Sequence, residues 1–139
     1  MSLAAKLRRA PGRVAAGSFI LNSGLGKLSG DAATAKAIHS MAAGSYPVLR
    51  SVPPVLFLKL LAVSEVAIGS MLLLPIVGPR ISGLALGGFS VGLLGLYVRT
   101  PGMHDDRYRP TQQGIPIAKD VWLAAIGAGL LIDGTLDRT

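Results

Sequence analysis

The sequence predicts an all-α integral membrane protein: a four-helix bundle with a polar segment at the interface between its first two helices. Three observations carry that prediction. Half of the residues are apolar and 15% are charged, against about 25% charged in an ordinary soluble domain. Residues 53–76, PPVLFLKLLAVSEVAIGSMLLLPI, form an apolar run of roughly 24 residues, which reaches about 36 Å as a helix and exceeds a hydrocarbon thickness of about 30 Å. The 18 glycines and few aromatics suit helices that meet by backbone approach rather than by interlocking large side chains. Once loops are subtracted, 139 residues leave room for one domain with four spans at most.

Residues 1–13 carry Lys6, Arg8, Arg9 and Arg13 and no acid, the flank of a first span that starts on the cytoplasmic side. That span, about 13–28, is short and interrupted by Asn22 and Lys27; snorkelling of Arg13 and Lys27 stretches its ends. A secretory signal ending at Ala33-Thr34-Ala35 is the rival reading, and Asn22 and the many glycines speak against it. Residues 29–52 are polar, with an Ala-rich stretch over 31–43 that forms a short interfacial helix, capped by Asp31 and stopped by Gly44. The second span, 53–76, and the third, 80–98, are joined by Val77-Gly78-Pro79, a connection so tight that it makes them antiparallel neighbours. The third contains Gly83-xxx-Gly87 and Gly88-xxx-Gly92, spacings that let a neighbouring backbone come close. A polar connection without helical period, residues 99–116, leads to the last span, 117–136. There Ala124-xxx-Ala128 shares a face with Asp120. Asp133, Asp137 and Arg138 close the chain. An even number of crossings puts both termini in the cytoplasm. The Lys and Arg residues of the loops divide five against five, so the first flank sets the orientation.

The span directions bring Lys27, Lys59, Arg99, Lys119 and Asp120 toward one membrane face, with Glu65 about 9 Å deeper than Lys59. Tyr46, Tyr97, Tyr108 and Trp122 gather there as an aromatic belt, and the opposite half is nearly all aliphatic or glycine. A carboxylate at the depth of Glu65 costs on the order of 2.5–3.5 kcal/mol, so it needs a partner or a function. Lys59 lies about 120° away on the helical wheel and snorkels, which leaves Lys27 or Lys119 to pair with Glu65. The cluster Glu65, Lys27, Lys119, Asp120 and Arg99 has two readings. Its charges neutralise one another and orient the spans, or they line a pocket for a polar headgroup such as a quinone ring or for a small anion.

The absence of cysteine excludes disulfides, thiol catalysis and iron–sulfur clusters. His104-Asp105-Asp106 reads as a solvated loop rather than a metal site. His39 reads as an interfacial residue, and with no histidine inside a span a haem held between helices is disfavoured. No catalytic arrangement, phosphate loop or nucleic-acid surface is visible. Although the formal charge is +7, the cations sit at the ends of apolar runs, where anionic lipid headgroups are the fitting partner and nucleic acid is not.

Arg13, Gly17, Phe19, Gly24, Lys27 and Leu28, then Glu65 and Gly69, then Lys119, Asp120 and the small residues after Trp122 together resemble the DoxX family of small bacterial membrane proteins. The resemblance covers nearly the whole chain. It implies a four-helix membrane bundle with Gly17, Gly24 and Gly69 among its packing positions, placed in the bacterial inner membrane. It also implies a link to redox chemistry, since some relatives are described as subunits of quinone-dependent oxidoreductases and others associate with soluble redox enzymes. The expectation is an accessory or anchoring subunit rather than an enzyme alone, with quinone as the cofactor to test for. Membrane or membrane-associated redox proteins, or further copies of the chain, would be its partners. A small-solute or lipid carrier and a purely structural partner are the rivals.

Overall fold

The computed structural model describes residues 2–137; Met1, Thr139 and Arg138, one of the charged residues that close the chain, lie outside the described residues. Among the described residues the chain is all-helical, with no strand. Helix α1, Leu3–Leu28, starts at Ser2, whose side chain accepts a hydrogen bond from the Ala5 amide at 3.2 Å. It starts well before the expected first span and runs through Pro11, which removes one donor from its ladder. The reason is a continuous buried stripe: Ala5, Arg9, Arg13, Ala16, Gly17, Ile20 and Gly24 all face inward. The basic segment is therefore part of a packed helix.

Helix α2, Ala32–Ser45, is capped by Asp31, whose carboxylate accepts the Thr34 amide at 2.8 Å and is thereby held below the usual carboxylate range. Gly44 does not stop it. The helix passes through Gly44 and ends where Tyr46 turns extended ahead of Pro47. After a 3₁₀ turn at Pro47–Ser51 come α3, Pro54–Leu73; α4, Pro79–Arg99; the short α5, Ile115–Ala118; and α6, Asp120–Leu136. By length and composition, three helices can cross a membrane: Pro54–Leu73, Pro79–Arg99 and the combined Ile115–Leu136. Their outer faces expose Leu60, Val63, Leu84, Val91 and Ile132, which suits contact with lipid rather than water.

The main contacts run between α1 and α3 and between α4 and α6, whereas α3 and α4 touch only briefly. This corrects the expectation drawn from the Val77-Gly78-Pro79 connection. A short turn keeps helix ends together, but the helices lie along whichever surface admits the closest approach. At Gly17, Gly24 and Gly69 an added Cβ would come within 2.7–2.9 Å of the facing helix. At Gly83 and Gly127 it would meet the facing backbone at 2.7–2.8 Å. Between the pairs, Ala16, Ile20, Leu72, Leu86, Leu123 and Leu130 form the core, with Phe89 packed against it.

Two expected packing glycines do not act as such. A Cβ at Gly87 or Gly92 meets open space, because these Cα–H bonds rotate away from α6. Gly87 instead receives the approach of Gly127 on its backbone, and the Gly92 carbonyl accepts the Tyr46 hydroxyl at 2.8 Å. Gly95 is the residue that makes room for Tyr46. The buried face of α6 is Asp120, Leu123, Gly127, Leu130 and Gly134, and Ala128 is exposed. The Ala124-xxx-Ala128 seam is thus displaced by about one residue on the wheel.

The connection after α4 is ordered rather than loose. The Asp105 carboxylate accepts the Arg107 and Arg109 amides at 2.8 and 2.9 Å, and Tyr108 turns the chain at φ 59°. Met103 is buried, and its carbonyl lies so near Gly114 that no side chain fits there.

These contacts predict a stability order. Gly24→Ala and Gly127→Ala each lose about 1–3 kcal/mol through overpacking, and Leu86→Ala loses about 2–5 kcal/mol by opening a cavity. Gly87→Ala and Gly92→Ala stay within about 1 kcal/mol of the parent. Thermal melts in one detergent check the order, and equal losses at Gly24 and Gly92 would refute it.

Candidate functional site

Lys27 is four residues after Ser23 on α1, and Glu65 lies mid-way along α3. Because Gly24 brings the two backbones together, with an added Cβ only 2.9 Å from Glu65 Cβ, the lysine reaches its partner. Lys27 Nζ donates to Glu65 Oε1 and Oε2 at 3.1 and 3.0 Å and to Ser23 Oγ at 2.6 Å. The Glu65 side chain is 6% exposed and that of Lys27 23%. Of the two candidate partners, the fold brings Lys27 to Glu65. Lys119 is exposed and points into a neighbouring hollow, and Lys59 is exposed on α3.

The pair forms part of the wall of a cavity of about 350 Å³ into which every long helix contributes. Apolar side chains, among them Phe19, Phe57, Phe89 and Leu123, make up most of the lining; the polar groups are Ser23, Lys27, Glu65 and Asp120. Asp120 enters from the first turn of α6 and is nine-tenths buried. Helix α2 covers one end with Ile38, Met41 and Ala42. The volume falls in the range of about 300–1,000 Å³ typical of small-molecule pockets, and so does the pattern of apolar walls with few polar groups. Ser23 was not singled out from sequence, although its spacing of four before Lys27 places it on the same helix face. The phenylalanines of α3 and α4 gave no sequence signal beyond apolarity.

Arg99 is not part of this cluster. Its guanidinium donates to the Ser45 carbonyl at 3.3 Å and lies 5.1 Å from the centroid of the Tyr46 ring, so it clasps the end of α2 against α4. Two of the belt aromatics are likewise internal: Tyr46 reaches Gly92, and the buried Tyr97 donates to the Tyr108 carbonyl at 2.8 Å. His104 sits beside both Tyr97 and Tyr108, with Nδ1 2.8 Å from the Asp105 carbonyl and Nε2 3.0 Å from that of Val98. Two acceptors facing both nitrogens favour the imidazolium and raise the pKa of His104. The other histidine, His39, meets the Leu49 carbonyl at 2.8 Å and packs against Phe57.

The opposite end of the molecule is not the aliphatic half that the sequence suggested. Buried Arg9 pairs with Asp133 and Asp137, and Arg8 with Asp133 at 2.6 Å. Buried Arg13 does not snorkel outward. It donates to the carbonyls of Met71, Leu72, Leu74 and Val77 and to Ser82 Oγ, at 2.8–3.2 Å. Two of those carbonyls, of Met71 and Leu72, belong to the last turn of α3, where the helix offers no donors of its own, and a third belongs to its C-cap, Leu74. The sequence hides this because the acceptors lie about sixty positions away.

Comparison of the chain with family models, with curated proteins and with solved structures finds no match.

A double-mutant cycle checks the pair. Lys27→Met or Glu65→Gln alone leaves one charged group without its partner and loses on the order of 3 kcal/mol. The double variant recovers part of that loss. Strictly additive losses in detergent melts would mean that the contact contributes no coupling.

Proposed function

We propose that this chain is a DoxX-like four-helix protein of the bacterial inner membrane, acting as an accessory or anchoring subunit of a quinone-linked redox assembly. The observation that carries the reading is the Lys27–Glu65 pair in the wall of an apolar cavity of about 350 Å³. Charges that served only to balance each other would need no adjoining space. Such a lining suits a flat ring with two hydrogen-bonding oxygens: Phe19, Phe57 and Phe89 would hold its faces, and Ser23 and Lys27 would supply hydrogen-bond donors to its oxygens.

A four-span topology is supported by the ion pairs of Arg8 and Arg9 with Asp133 and Asp137. They join the start of α1 to the end of α6, as an even number of crossings requires. Helix α1 is not apolar enough to count as a span by composition, yet its cations at that end are paired and its length lies along α3. With the basic end inside, both termini are cytoplasmic.

Topology and ligand are tested separately. The chain has no cysteine, so single cysteines report cleanly. Ser40→Cys and Gln112→Cys label from the outside of intact cells, and Ser2→Cys labels only after permeabilisation. Outside labelling of Ser2→Cys would reverse the orientation.

Mass spectrometry of gently purified protein finds quinone in the parent and at least tenfold less in Glu65→Gln. Equal retention in both would remove Glu65 from the site.

A further inference from the structure

The carboxyl group of Asp120 lies between two hollows. One is the cavity beside Lys27 and Glu65; the other, of about 400 Å³, lies between α1 and α6 and shares Phe19, Pro116, Asp120 and Leu123 with it. Helices α1 and α6 touch only sparsely. At the outer rim of this second hollow, Ala15 is exposed, and Phe19 and Trp122 are 64% and 66% exposed. No hydrogen bond or ion pair reaches the nine-tenths buried Asp120 carboxyl among the described residues. Among the described residues no buried side-chain oxygen lacks a hydrogen-bond partner, so the Asp120 carboxyl oxygens open onto these hollows, where a ligand can meet them.

We propose that the hollow between α1 and α6 is a side entrance through which a bilayer-dissolved amphiphile reaches the cavity, where its head meets Asp120. The inference rests on the pocket reading above and specifies its ligand class and route. Two acids, Glu65 and Asp120, face two lysines, Lys27 in the cavity wall and Lys119 in the second hollow, so the site offers no surplus positive charge to an anion. The head that fits is uncharged and carries oxygens that accept a hydrogen bond from the Asp120 carboxyl in its protonated form, and the apolar walls beyond it accept a hydrocarbon tail. Access from water is blocked at one end by α2, held down by Tyr46 on Gly92 and by Arg99 on Ser45. Access from the lipid is blocked only by the side chains at the rim.

Trp122 is the single tryptophan of the chain and stands at the rim, so quenching of its fluorescence reports entry. The experiment titrates a benzoquinone bearing a ten-carbon tail into the full-length protein in lipid nanodiscs. Collisional quenching by quinone in the bilayer is linear in concentration, whereas occupation of the entrance and cavity adds a saturable component. Expected are a saturable component in the parent, about tenfold weaker affinity in Asp120→Leu, which removes the hydrogen-bonding group, and loss of the component in Ala15→Phe, whose ring fills the rim at an exposed position. Parent-like saturation in Ala15→Phe or in Asp120→Leu overturns the proposal; if Glu65→Gln still abolishes saturation, the pocket reading survives. A purely linear response in the parent overturns both. Should Asp120→Leu fail to fold, Ala15→Phe alone decides between a lipid-side entrance and none.

Discussion

A buried guanidinium has five N–H donors to satisfy, and the placement of Arg13 satisfies all five with four carbonyls and one hydroxyl. Those acceptors come from the end of α3, the turn after it and Ser82 on α4. One side chain of α1 thus supplies the donors that the last turn of α3 lacks and places positive charge at the negative end of its dipole. Sliding α1 by a single residue would strand both the charge and the carbonyls. Fourteen residues later, about 21 Å along the helix, Lys27 reaches Glu65 from nearly the same face. Between these two attachments Gly17, Gly24 and Gly69 bring the backbones together.

A second pair, α4 with α6, is built on the same principle from Gly83, Gly127 and Gly134. Within each pair the helices approach closely; between pairs large side chains intervene, and Leu72, Leu86, Leu130 and Leu123 line that gap from the arginine end toward the α2 end. Toward the α2 end the filling stops and the cavity begins. The pocket therefore follows from geometry: two closely packed pairs leave space between them at the α2 end, where Leu123 and Phe89 form part of its wall. Helix α2 covers that space because Gly95 admits Tyr46 and Arg99 holds the end of the helix.

In the proposed setting, the two ends of the molecule have different tasks. The arginine end is saturated: Arg8 and Arg9 have acidic partners, Arg13 has its carbonyls, and the Gly134 carbonyl accepts the Arg80 guanidinium. The Glu65 end keeps one carboxyl, Asp120, that lies in the fields of Lys27 and Glu65 but forms no hydrogen bond or ion pair among the described residues and opens onto the cavity. A fully satisfied polar network rigidifies, while an unsatisfied group in a cavity is a place for something else to bind.

Local chemistry was legible in the sequence by itself. Of the four spans expected from apolar runs, three correspond to helices able to cross a membrane by length and composition, since backbone groups in lipid must be satisfied within the helix, and the fourth, about 13–28, lies in α1, which does not qualify by composition. Asp31 gives the start of α2, since a cap acts within one turn. Glu65 reads as needing a partner, since burial penalises a lone charge wherever it occurs. Only the tertiary structure decided which lysine answers it, because Lys27 and Lys119 are equally placed in depth and differ in which backbone Gly24 lets approach. It also decided that Gly24, Gly83 and Gly127 face a neighbour while Gly87 and Gly92 present open space, because helix rotation is not encoded in spacing. It decided that Arg13 turns inward, because the carbonyls that make burial tolerable exist only once α3 has ended beside it.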